Sequence, residues 1–221
     1  MSNKPKITKI SRLLIIALFL SSNFVFGQKP VPPIPAEIFF GNDAIFSQLV
    51  INRDFAPNSK FSLFSLATYT ASYDQEKGDN ELATINQVNY SVGRGFSAMV
   101  GVNVNSEVGL TPVIGPKHVF VSKTFLSVSI LSFSVDGDND LGFFGLYEYT
   151  PPINENLALL ARFQVLYNQG LGEMQHNRSF LYLRAGLKKN RLSFGLASNL
   201  DQYGPKKKFK ENYGLFAEWN F

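Results

Sequence analysis

Two histidines carry what acid–base chemistry this chain could do. His176 stands three residues before Ser179 and three after Glu173, inside the polar segment Gln169–Ser179. A serine hydroxyl becomes nucleophilic when an imidazole takes its proton and a third group orients the ring, so these residue types could perform acyl transfer. A polar surface loop accounts for the same residues more simply. His118 lies in Pro116–Val121, near Phe120, with no partner close in sequence, and reads as a structural histidine on a strand.

Asp136, Asp138 and Asp140 have the spacing of the opening of a calcium loop, but the later bidentate Glu is missing, so a solvated loop is the expectation. No phosphate loop, metal-spaced histidine cluster or dinucleotide fingerprint occurs, and no cofactor or metal is expected. The absence of cysteine removes disulfides, thiolate metal sites, a cysteine nucleophile and a lipidated N-terminal cysteine.

The remaining candidates are charges set into alternating segments. From residue 44 the sequence divides into stretches of roughly ten residues with the period of a strand. In Phe96–Asn105, Phe96, Ala98, Val100, Val102 and Val104 share one face, against Ser97, Met99, Gly101, Asn103 and Asn105. Leu157–Tyr167 sets Leu157, Leu159, Ala161, Phe163, Val165 and Tyr167 against Arg162 and Gln164. Arg191–Leu200 and Tyr213–Phe221 repeat the pattern.

Three features favour a barrel over a soluble sandwich. Short connections (Ala56–Lys60, Gly93–Gly95, Ser122–Thr124, Pro151–Asn156, Lys189–Asn190) alternate with longer polar ones (Asp74–Asn80, Glu107–Pro116, Asp136–Asp140, Gln169–Ser179, Gly204–Lys210). Aromatics gather beside the short turns: Phe55, Phe61, Tyr90, Phe96 and Phe125, then Tyr147, Tyr149, Trp219 and Phe221, which read as an interfacial girdle. The polar face is rich in Ser, Gly, Asn and Thr, which suits a narrow wetted lumen. The fold expected is all-β: a closed antiparallel up-and-down transmembrane β-barrel of about twelve strands. Eleven strands are clear from residue 44; Glu37–Phe40, turning at Gly41-Asn42-Asp43, supplies a twelfth. Ten is the count if Val113–Val121, broken by Gly115 and Pro116, is partly loop.

In such a barrel Arg162 and Arg184 face inward on neighbouring strands near mid-height, with Glu148 and Glu218 inward nearer the base. An unpaired charge in a narrow lumen is costly. These residues therefore form either a salt-bridged plug or a constriction that orders a passing polar or anionic solute.

The N-terminus has a basic region, the apolar run Leu13–Leu20 and small residues leading to Gly27, the layout of an export signal over 1–27 cleaved near Gly27–Gln28. Residues 28–43 follow as a proline-rich lead-in holding the candidate first strand, and 44–221 as the barrel. The sequence pI of about 9.2 is no sign of a nucleic-acid partner. Lys4, Lys6, Lys9 and Arg12 supply the whole excess, and without them 17 of the 21 basic residues face 17 acidic ones. The run Lys206, Lys207, Lys208 and Lys210 is a solvated loop or a contact for lipopolysaccharide phosphates.

The final segment, Tyr213-Gly-Leu-Phe-Ala-Glu-Trp-Asn-Phe221, resembles the C-terminal signal of bacterial outer-membrane β-barrel proteins. The Phe-Gly-Gln at the end of the export signal resembles those of the Bacteroidota. The resemblance implies a lipid bilayer as surroundings, outer-membrane localisation after signal cleavage, and recognition of the last strand by the outer-membrane assembly machinery. In size and plan alone the chain resembles nucleoside-specific channel proteins. The function expected is a passive, porin-like channel for small polar or anionic solutes and not an enzyme. The alternatives are a closed structural or adhesive barrel that displays loops, and an outer-membrane lipid hydrolase. Barrel hydrolases that use Ser and His carry tighter His–Ser motifs than His176 and Ser179 provide.

Overall fold

The computed structural model describes residues 32–74, 80–106, 108–136, 139–172 and 174–221. The export signal at 1–27, the first part of the proline-rich lead-in, Asp138 and Glu173 lie outside the described residues. Alternation without long apolar runs builds strands throughout. They are β1 (Pro35–Gly41), β2 (Ala44–Asp54), β3 (Phe61–Ser72), β4 (Glu81–Gly93), β5 (Phe96–Asn105), β6 (Gly109–Val121) and β7 (Phe125–Ser134). After them come β8 (Asp140–Tyr149), β9 (Pro152–Asn154), β10 (Leu157–Gly170), β11 (Gln175–Lys189), β12 (Leu192–Tyr203) and β13 (Lys208–Asn220).

Neighbours pair antiparallel around the ring, and β13 returns to β1 in the register Pro35↔Asn220 through Gly41↔Gly214. Twelve of the thirteen strands close the barrel; β9 is a three-residue piece beside the start of β10. Ile34 and Phe221 complete the seam with reciprocal backbone hydrogen bonds of 3.3 and 3.1 Å. We call this end the base and the opposite end the rim. Closure leaves no free sheet edge, which is the condition for strands to live in lipid.

The long rim loops expected at Glu107–Pro116 and Gln169–Ser179 are mostly strand, since β6 starts at Gly109 and β11 at Gln175. Pro116 has no N–H to give the ladder, and pairing lapses at Gly115–Pro116. The register of Ile114↔Phe133 nevertheless resumes at Lys117↔Ile130, so the strand continues. Rim and base connections therefore differ little in length, and the outer wall is what identifies the barrel. Val100, Leu159, Phe163, Leu183, Leu196 and Leu215 stand outward and exposed, the inside-out surface of a membrane-spanning barrel.

The interior departs from the small, polar lumen expected. On β3 and β7 the apolar residues point inward: Phe64, Leu66, Val128 and Ile130 pack with Met99 and Phe144 in one buried cluster. Phe39, Phe46, Leu160, Tyr182 and Phe216 form another. The displaced polar residues sit on the outer wall and satisfy one another, as lipid requires. Ser65 donates to Asn86 at 2.7 Å, Asn86 to Thr84 at 2.9 Å, and the hydroxyls of Ser129 and Tyr147 lie 2.9 Å apart. Gly145 makes the last contact feasible, because a Cβ there would meet the Tyr147 ring.

Candidate functional site

Arg162 on β10 and Arg184 on β11 are direct cross-strand partners, and both turn into the lumen. Their side chains are 3% and 0% exposed. Glu37 of β1 reaches both. Its Oε1 accepts from Arg184 Nη2 at 2.7 Å and Nε at 2.9 Å, while Oε2 pairs with Arg162. Glu218 of β13 binds Arg162 from the other side and is steadied by Asn220 at 3.2 Å. Glu148 lies 3.8 Å from Arg162 and 4.0 Å from Lys188. Three cations thus face three carboxylates. Glu148 is the direct cross-strand partner of Arg162, and Glu218 reaches the same guanidinium from β13.

Arg184 also donates to Asn199 Oδ1 and Leu183 O, each at 2.9 Å, and lies 5.0 Å from the Phe39 ring centroid. Its guanidinium is fully engaged by the protein. Sequence reasoning missed Glu37. The available signal was parity: Glu37 alternates with Ile38 in the candidate first strand and is the cross-strand partner of Glu218.

Gln164 and Tyr182 occupy the next inward positions towards the rim on β10 and β11, and with them begins a cup of about 540 Å³. Gln48, Thr68, Asn103 and Asn168 give it hydrogen-bonding walls, and Ile85, Leu166 and Phe180 apolar ones. Gln164 donates to Gln48 at 3.0 Å. At the mouth, Arg178 pairs with Glu81 and, at 2.9 Å, with Asp201. The hydroxyls of Tyr203 and Tyr182 bind Glu81 at 2.8 Å and Asp201 at 3.2 Å. Elsewhere in the lumen Lys117 is buried with its ammonium 4.0 Å from the Phe64 ring centroid.

Most of the other candidates lie on the outer wall or at the rim, whereas Asp140 lines the cup. His118 turns outward and packs on Phe96 at 4.4 Å between ring centroids. Tyr147 stacks on Phe163 at 4.7 Å, and Tyr149, Trp219 and Phe221 stand exposed at the base. A rim set that the sequence reading did not single out, Tyr69, Tyr73, Phe133, Tyr167 and Phe209, is exposed as well. Lys206, Lys207 and Lys208 are exposed at the rim, whereas the Lys210 ammonium lies 5.3 Å from the Tyr203 ring centroid. His176 and Ser179 meet: Nε2 and Oγ are 2.9 Å apart. Asp140, from the aspartate-rich segment, accepts a hydrogen bond from Asn177 at 2.9 Å.

No protein-family profile matches the chain, and no curated protein matches it. Among solved structures it is similar to the KdgM porin, at 12% identity and a TM-score of 0.48, over 86% of this chain and 99% of that one. It is similar to the NanC porin at 10% identity and a TM-score of 0.48, over 86% and 99%. It is similar to LpxR from Salmonella typhimurium at 10% identity and a TM-score of 0.45, over 86% and 100%.

Proposed function

We propose that this chain works in the bacterial outer membrane as a narrow, normally shut channel for small neutral solutes that hydrogen-bond. A closed ring with an apolar outer wall is stable only in lipid, and barrels of this plan belong to the outer membrane. The exposed rings at base and rim then meet the two interfaces, where amphipathic aromatics are favoured. The seam strand β13, ending in Trp219 and Phe221, is the segment the assembly machinery would recognise. Lys206, Lys207 and Lys208, exposed at the rim, would meet lipopolysaccharide phosphates.

The observation that carries the reading is the stacking of a hydrogen-bonding cup, whose lining charges Arg178 and Asp140 are engaged by Glu81, Asp201 and Asn177, on a charge cluster that is internally balanced. A constriction selective for anions needs an uncompensated cation. Arg162 and Arg184 spend their charge on Glu37, Glu148 and Glu218. A solute entering from the rim is thus chosen by hydrogen bonds in the cup, and it passes when the cluster parts.

Liposome swelling tests this. Native protein should admit a neutral pentose slowly and a matched sugar acid more slowly still. The Glu37→Ala variant should admit the pentose faster. Liposomes that stay equally tight with folded native protein and with the variant would sink the channel reading.

A further inference from the structure

We propose that His176 and Ser179 form an acyl-transfer site on the outer wall of the barrel, directed at carboxylic esters of lipids around the rim. It is separate from the lumen and independent of whether solute passes there.

Residues three apart on a regular strand point to opposite faces. Here the β10–β11 register passes from Asn168↔Arg178 to Gln169↔His176, so Asn177 is an extra, bulged residue. Asn177 and Arg178 both turn into the lumen, where Asn177 donates to Asp140 and Arg178 to Asp201, each at 2.9 Å. His176 and Ser179 are thereby brought to the same outer face. A bulge next to a functional side chain is a recurrent way of re-aiming it.

The contact has the polarity of a base and its nucleophile. His176 Nδ1 lies 2.8 Å from the carbonyl oxygen of Gly204. A carbonyl only accepts, so Nδ1 holds the ring proton and Nε2 presents its lone pair to the Ser179 hydroxyl 2.9 Å away. Gly204 O takes the orienting role that a carboxylate fills in a triad. His176 is buried, with the Tyr167 ring edge-on at 5.8 Å, while Ser179 is partly exposed. Across the strand pair Ser179↔Gln202, the Gln202 Oε1 lies 3.4 Å from Oγ as a second, longer acceptor for the same hydroxyl proton, so the shorter contact to Nε2 is the one that activates the serine.

Position fixes the substrate class. The next outward residues towards the base on β11 are Leu181 and Leu183, both exposed to the lipid belt. On the other side Leu171, Gly172 and Met174 lie in turns at the rim. Tyr167, the cross-strand partner of Ser179 on β10, marks the same level with an exposed ring. Ser179 Oγ therefore stands at the boundary of apolar and polar wall, the depth of the ester carbonyls of a bilayer lipid. Its acyl chain would lie along Leu181 and Leu183.

The step balances with water as the only co-reactant. Ser179 Oγ attacks the ester carbonyl as Nε2 takes the hydroxyl proton. The tetrahedral adduct collapses, the C–O bond to the alcohol breaks, and Nε2 returns the proton to the leaving oxygen. Water then attacks the acyl-serine, gives its proton to Nε2, and the fatty acid leaves as Oγ is reprotonated.

The test uses folded protein in detergent, with a fluorophosphonate probe and, separately, mixed micelles of phosphatidylethanolamine or lipid A. The expected result is label on Ser179 and fatty acid from one or both lipids; the productive micelle identifies the source. Both signals should fall roughly 100-fold or more in Ser179→Ala and His176→Ala. Heat-modifiable migration reports that each variant is folded, and Ser179→Ala removes only one wall hydroxyl. Absence of both label and fatty acid with native protein overturns the proposal, as does undiminished hydrolysis by Ser179→Ala.

Discussion

Arg162 and Arg184 face each other directly across β10 and β11, and one carboxylate, Glu37, binds both. Like charges in opposite positions destabilise a strand pair. The pair exists because β1, at the far end of the sequence, closes the ring on β13 and so brings Glu37 within reach of both arginines from beyond β12 and β13.

Glu37→Gln is therefore a test of the fold as well as of the plug. It keeps the volume and removes the charge that holds two buried guanidinium groups together. Breaking a buried pair by removing one partner costs about 3–5 kcal/mol. The expected outcome is a lower temperature for loss of the compact band on a heat-modifiable gel. An unchanged temperature would mean that Glu218 and Glu148 alone satisfy both arginines.

The strands were legible where the two faces differ in chemistry. Val100 against Asn103 on β5, and Phe163 against Arg162 on β10, assign inside and outside without help. The reading failed where the outer wall supplies its own polar partners. Ser129 faces out because Tyr147 binds it across the space left by Gly145, a pairing invisible in the spacing of either strand. The Asn177 bulge disguised the start of β11 as loop, and with it the meeting of His176 and Ser179. Glu37 was passed over because 125 residues separate it from Arg162 and prolines precede it.

Lys117 makes a prediction of opposite sign. Among the described residues no carboxylate lies within ion-pair distance of it, and the Phe64 ring is its recorded partner. A cation–π contact gives about 2 kcal/mol when desolvated, less than the several kcal/mol needed to bury an ion. Lys117→Met keeps the length of the chain and removes the charge, so the barrel should unfold at higher temperature. A lower temperature for the variant would show that the ammonium contributes more than its ring contact.

The rim lysines predict a salt-dependent contact. Lys206, Lys207 and Lys208 are exposed at the β12–β13 turn, where attraction to phosphate falls as the Debye length shrinks from about 10 Å at 0.1 M salt to about 3 Å at 1 M. Binding of lipopolysaccharide to detergent-solubilised protein should weaken with salt and weaken further in the triple Ala variant. Binding insensitive to both would place the contact elsewhere.

Asn212 controls the first hairpin from the strand beside it. Its Oδ1 accepts from the backbone N–H groups of Asp43 at 3.0 Å and Ala44 at 3.3 Å, and its Nδ2 donates to Ala44 O at 3.0 Å. Gly41 lacks the Cβ that would collide with this amide. Asn212→Ala takes this partner from the buried backbone groups of Ala44 and from the part-buried Asp43 N–H, at about 1–3 kcal/mol for an unsatisfied buried group. Hydrogen exchange at Asp43 and Ala44 should accelerate by roughly 10-fold or more, with strands far from the seam unaffected. Asn212→Asp keeps the acceptor and loses the donor, so it should leave the Asp43 amide protected while still weakening the hairpin. Equal acceleration in the two variants would show that packing of the side chain, and not its acceptor oxygen, holds the turn.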